Sequence, residues 1–386
     1  SNVAVGQGAF TENTTGSSNT SVGTDALGNN TTAANNTAVG KSALGANTTG
    51  SVNTAMGVEA LRDNTTASGN VGIGHAVLAS NLTGASNTGC GKGTLNANTA
   101  SNNTAVGYHA LVANTTGAAN VALGVDALSS NTTAASNTAI GVSSLEDNTT
   151  GAGNTAVGQA ALANNTTAAG NTAVGKDSLN AATTGANNVA VGKEAGDSIT
   201  TGGNNTFVGY EAGHTSVDSS NSIMVGYQAL ASATGTSEMV IGISVSGKGD
   251  DTGFLAPPGG ASMFQASNAT TFQQTSDRRI KKNIVDNNDG LEQVKQIRVR
   301  NFEYRTEDEI TDFENTKSTV VEKEGIQLGA IAQEIEEVFP DMVTTQSTGV
   351  KTVNTDNLTW YLVNAVQELS TQVGELQSEL KALKGE

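Results

Sequence analysis

Apolar positions in the first 247 residues follow one rule. A short alternating run, Asn-Thr-Ala-Val-Gly, puts Ala on one side of a strand and Val on the other. A leucine follows four residues after the glycine, at Leu27, Leu44, Leu61, Leu78, Leu95, Leu111, Leu128, Leu145, Leu162 and Leu179. An Asn-Thr-Thr-Gly turn signal then closes the unit. The motif glycine recurs fifteen times from Gly6 to Gly242, in steps of 17 residues with two of 16. One unit cannot bury its own apolar face, so units must stack, Val on Val and Leu on Leu. Stacking also aligns Asn13, Asn30, Asn47 and their successors to Asn165 into a ladder of side-chain amides.

The pattern predicts a mainly β chain whose residues 1–247 form a β-solenoid or β-roll shaft. Fifteen coils at about 4.8 Å each span roughly 70 Å. Ordering one coil costs about 25 kcal/mol at roughly 1.5 kcal/mol per residue. One Val, one Leu and a few Ala offset too little of that. The shaft is therefore expected to be a homotrimer with the small Ala face towards its axis. Gly196 and Gly213 later replace the leucine, and Phe207, Ile223 and Met224 predict a fatter terminal coil. Cys90 holds a Val position and is expected to be buried. Tyr108, Tyr210 and Tyr227 follow the motif glycine and are expected at the surface. Residues 248–275, with Pro257-Pro258-Gly259-Gly260, read as neck strands.

The period changes after Thr275. Residues 276–386 carry 13 of the 19 basic residues and the only Trp. They read as an α+β domain. Leu291, Val294 and Ile297 have helical spacing, Val299–Arg305 alternates as a strand, and Leu328–Phe339 runs from strand to helix before Pro340. The tail holds a heptad seam of Leu362, Val366, Leu369, Val373, Leu376, Leu380 and Leu383. That predicts a trimeric coiled coil over about 358–384, with its helix capped by Asp356.

Composition narrows the function. A net charge of −17 argues against general nucleic-acid binding. A single cysteine excludes an intrachain disulfide framework. No apolar run reaches the length of a membrane span. His75, His109 and His214 share no ligand spacing, so neither metal nor cofactor is expected. The array holds no clustered carboxylate pair. The opening in mid-pattern predicts a fragment of a longer polypeptide.

Candidate chemistry sits at the junction. Ser276 is followed five residues later by Lys281. A serine hydroxyl needs a base to become a nucleophile, and a lysine serves only when neutral, against an ordinary pKa of about 10.4. Burial and the like charges of Arg278, Arg279 and Lys282 would lower it. Spacing alone fits a Ser276-Asp277 turn cap beside a solvated basic run equally well.

The motif Ser276-Asp277-x-Arg279-x-Lys281-x-Asn283-Ile284, then Gly329-x-Ile331-Ala332-Gln333-Glu334 with Phe339-Pro340, then an apolar helix, resembles the endosialidase-type intramolecular chaperone domain of phage tail fibres and spikes. The repeat half resembles adhesin heads of trimeric autotransporters and tail-fibre shafts. The resemblance implies that the domain trimerises, guides folding of the fibre before it, and cuts itself off. By position Ser276 is the nucleophile and Lys281 the base, the cut falls between Thr275 and Ser276, and Asp277, Arg279, Asn283, Gln333 and Glu334 support the motif. It implies a virion tail protein that joins upstream fibre components and meets a host-surface glycan or protein, with no substrate-directed activity and no membrane insertion. The alternatives are a bacterial trimeric surface adhesin, which needs a membrane barrel, and the shaft of a polysaccharide-degrading spike whose catalytic domain lies upstream.

Overall fold

The computed structural model describes residues 1–232, 236–256, the backbone of 263–265, residue 278, and residues 282–287, 289–311, 321, 323–345 and 349–385. The chain divides into two compact units, Ser1–Thr275 and Ser276–Glu386.

The first unit is a β-solenoid. Strands β1 (Val3–Val5) to β14 (Ile223–Val225) recur once per coil and pair parallel with their sequence neighbours. Register is kept at each step, as in Thr37↔Thr54, Ala38↔Ala55 and Val39↔Met56. Each strand holds only three residues, yet hydrogen bonds join neighbouring coils around the rest of the perimeter. Leu27 N–H donates to the Ala43 carbonyl (3.0 Å) and Thr31 N–H to that of Thr48 (3.1 Å). The sheet runs past Gly247: Met239–Gly242 and Gly253–Ala256 stack on in parallel, and Met263–Gln265 pairs antiparallel at the end.

Two backbone devices make the coil. The motif glycine ends each strand at a φ that no other residue tolerates, +133° at Gly40, and its stack leaves no space for a side chain. A Cβ on Gly40 would meet the Gly57 carbonyl oxygen at 2.3 Å. The leucine then turns the chain inward from the left-handed region, with φ between 47° and 54° in ten coils. That conformation costs a leucine about 1–2 kcal/mol. Complete burial, at 0% exposure for Leu27 through Leu179, returns about 1.5–3 kcal/mol.

This curvature corrects the expected trimer face. The strand Ala is inside the coil, not at an inter-chain surface: Ala38, Ala55, Ala105 and Ala156 are all fully buried against the leucines. The residues outside are the aliphatic ones. Val5, Leu123 and Val191 are 58%, 47% and 40% exposed, and they belong to a column that continues at the third strand position of every coil. Cys90 lies in that column and is half-buried, not buried.

The interior keeps a constant volume by compensation. Gly89 replaces a strand Ala where Val77 replaces the Ala beside a leucine, and a Cβ on Gly89 would meet Val77 Cγ1 at 2.5 Å. The same exchange corrects the expected fatter terminal coil. Phe207, fully buried, fills the room left by the two leucines missing at Gly196 and Gly213.

The Asn ladder forms as expected. Asn47 Nδ2 donates to Asn30 Oδ1 (3.0 Å) and to the Gly50 carbonyl (2.9 Å). It stops at Asn165, whose buried Oδ1 has no hydrogen-bond partner because Ala182 takes the next place. A second ladder, not anticipated, uses the first residue of the motif. Asn36 N–H donates to Asn19 Oδ1 (2.9 Å) while Asn36 Nδ2 donates to the Gly50 carbonyl (2.9 Å).

In the second unit, Arg300–Phe302 pairs antiparallel with Gln327–Gly329, and Val343–Thr345 with Lys351–Val353. Helix α1 is Leu291–Val294, α2 is Ala332–Glu336 and α3 is Leu358–Lys384. Ile335, Phe339 and Met342 form the buried centre, joined by Ile297, Val353, Leu358 and Tyr361. The N-cap of α3 is Asn357, not Asp356, and no side chain closes it. The left-handed Gly385 ends the helix.

Candidate functional site: the segment after the junction and its helix

Thr275, Ser276, Asp277, Arg279 and Lys281 lie outside the described residues. The other motif residues can be placed. Asn283 is exposed, with φ +54°, ahead of α1. Gln333 is exposed on α2, and its neighbour Glu334 reaches back to the first strand of the unit. Arg300 Nη2 donates to Glu334 Oε1 (2.6 Å) and Arg300 Nε to Oε2 (3.1 Å). This two-pronged pair fastens α2 to the Arg300–Phe302 strand. Lys351 and Glu336 make a similar tie from the second hairpin to the same helix.

Hydrogen bonds from Arg300 hold the Glu334 carboxyl below its ordinary range, against a smaller opposing cost of burial. A folded-state pKa below the unfolded one means that the pair stabilises at neutral pH and that its contribution is lost as pH falls through the folded-state value. Glu334→Gln should lower the melting temperature of the second unit at pH 7. The gap to the parent should close in acid, as read by thermal melts across pH. A gap that persists below the carboxylate range would discard the pair as its cause.

The seam residues Leu362, Val366, Leu369, Val373, Leu376, Leu380 and Leu383 all lie on α3 and are 44% to 85% exposed on the single chain. The face of α3 turned from the seam holds the segment that follows the junction. Asn364 Nδ2 donates to the carbonyls of Asn287 (2.9 Å) and Asp289 (3.0 Å), and Glu368 Oε2 accepts from Leu291 N–H (3.1 Å). The sequence gives no local signal for these bonds, since they join residues 75 to 77 positions apart. Among the described residues, no helix is long and apolar enough to cross a membrane.

One short segment therefore carries the serine–lysine motif, an α2 tied down through its Glu334, and a helix with an exposed heptad seam. Residues 276–344 match the family described as chaperone of endosialidase. The match begins at Ser276, the first residue of the second unit, directly after the solenoid unit. It includes all the motif residues from Ser276 to Phe339 and stops ahead of α3. No curated protein and no solved structure matches the chain.

Proposed function

We propose that this chain is the distal part of a trimeric tail fibre or spike of a virion. Its solenoid serves as the shaft for host-surface attachment. Its chaperone-of-endosialidase domain assembles three chains and then releases itself between Thr275 and Ser276. The observation that carries this reading is the family match that starts at Ser276, immediately behind a β-solenoid.

The physics of the shaft supports a need for such a domain. Repeated near-identical coils make a slip of one unit between chains cheap. Non-local β assembly is also slow and prone to aggregation. Three α3 seams joined first would align the chains at one end, and the shafts would then close from there. Cleavage afterwards leaves the fibre kinetically trapped. In that step Ser276 Oγ attacks the Thr275 carbonyl carbon while the neutral Lys281 amine takes the hydroxyl proton. The peptide C–N bond breaks, an ester joins Thr275 to Ser276, and water hydrolyses it to a Thr275 carboxylate.

Within the trimer the exposed aliphatic column, not the Ala column, faces the axis. Fifteen levels of about 4.8 Å and strands about 10 Å wide give roughly 700 Å² of face. That is close to the roughly 800 Å² per partner of a stable interface.

Gel electrophoresis and light scattering test the reading together. The parent chain should migrate as two fragments cut at Thr275–Ser276, with the shaft fragment at three times its chain mass. Ser276→Ala and Lys281→Ala should both remain whole and still trimeric. A parent that stays whole under folding conditions, or that is monomeric, would sink it.

A further inference from the structure

Asn364, Ala365 and Glu368 lie within about one turn of each other on α3 and form a socket for residues 287–291. Three hydrogen bonds hold the backbone there, from Asn364 to two carbonyls and from Leu291 N–H to Glu368. The fit is close at Gly290, which is buried: a Cβ there would meet Glu368 Oε1 at 2.4 Å and the Ala365 nitrogen at 3.0 Å. Ala365 and Leu291 are also buried, at 5% and 9% exposure. The helix face opposite the socket carries the seam.

We infer that Asn364 and Glu368 are positioning residues for self-cleavage. This inference rests on the cleavage reading above. Lys281 precedes Asn287 by six residues. A chain anchored at Asn287 therefore confines the lysine amine to within about 20 Å of backbone reach of the helix. Without the anchor the same segment explores a larger volume, and a nucleophile and base that must meet within hydrogen-bond distance do so less often. The helix that presents the seam thus also fixes the segment behind the cut. Neither side chain touches the reacting atoms in this account; both act through the backbone they hold.

The test follows cleavage in time after refolding of the full chain. Asn364→Ala and Glu368→Ala should cut roughly ten- to a hundredfold more slowly than the parent, while light scattering returns the parental assembly. Glu368→Gln keeps an oxygen that accepts from Leu291 N–H, and it should restore most of the rate. For Asn364→Ala, which changes no charge, the pH of half-maximal rate should match the parent, because the base is unaltered. Parental rates in both alanine variants, or a rate that falls only together with assembly, would overturn the inference. If instead the parent is uncut, or Ser276→Ala is cut like the parent, the cleavage reading itself fails and this inference falls with it.

Discussion

Ile140→Asp combined with Val174→Asp should turn trimers into single chains while the solenoid stays folded. Both positions lie in the outward aliphatic column, two coils apart, at 36% and 37% exposure on the single chain. An aspartate at a half-exposed strand position of a lone solenoid keeps its water and costs about 0.5 kcal/mol. At a trimer axis the same change puts six carboxylates into an apolar seam, each with a desolvation penalty of several kcal/mol and no partner. Light scattering reads the mass and circular dichroism the fold. Leu82→Asp is the matched control, since Leu82 is 48% exposed but lies outside the strand face. It should remain trimeric. Trimers of parental stability in the double variant would remove the column from the interface.

Phe207→Ala should destabilise the terminal coils by about 3–5 kcal/mol, because it empties a fully buried site. The informative part is the rescue. Gly196 (φ +59°) and Gly213 (φ +72°) stand at the position that leucine fills in ten other coils at similar angles. A Cβ on Gly213 would meet Phe207 Cδ1 at 2.3 Å, and one on Gly196 would meet Cδ2 at 2.5 Å. Gly196→Leu or Gly213→Leu alone should therefore overpack and destabilise by about 1–3 kcal/mol. Combined with Phe207→Ala, the two leucines rebuild the ordinary coil interior and should recover most of the loss. Thermal unfolding and hydrogen exchange of these coils give the coupling. Simple additivity of the three changes would show that Phe207 does not stand in for the leucines.

How far the sequence could be read varies by level. The coil period, the leucine stack and one Asn ladder follow from spacing, because a repeat that stacks must put like on like. Alternation shows that Ala and Val point to opposite sides of a strand, but not which side is inside. Curvature decides that, and it comes from ten leucines in a left-handed conformation that sequence preference argues against. The second ladder, starting from the motif Asn, was hidden because it pairs a side chain with backbone amides rather than with its own kind. In the second unit the heptad seam and the serine–lysine motif are linear patterns and were legible. The Asn364–Glu368 socket joins polar residues more than seventy positions apart, and no periodicity announces it. The same holds for the Arg300–Glu334 pair, whose two members carry ordinary surface-residue identities.

The hydrogen bonds between coils have a mechanical consequence. They run along the shaft, so tension on the chain end enters at one point of the last coil's perimeter and opens its bonds in succession. Each coil given up adds 17 residues of free chain, roughly 58 Å of extended length, while the rod shortens by only about 4.8 Å. A shaft built this way yields in steps under load instead of snapping, and its small, repeated interior makes every step nearly the same size.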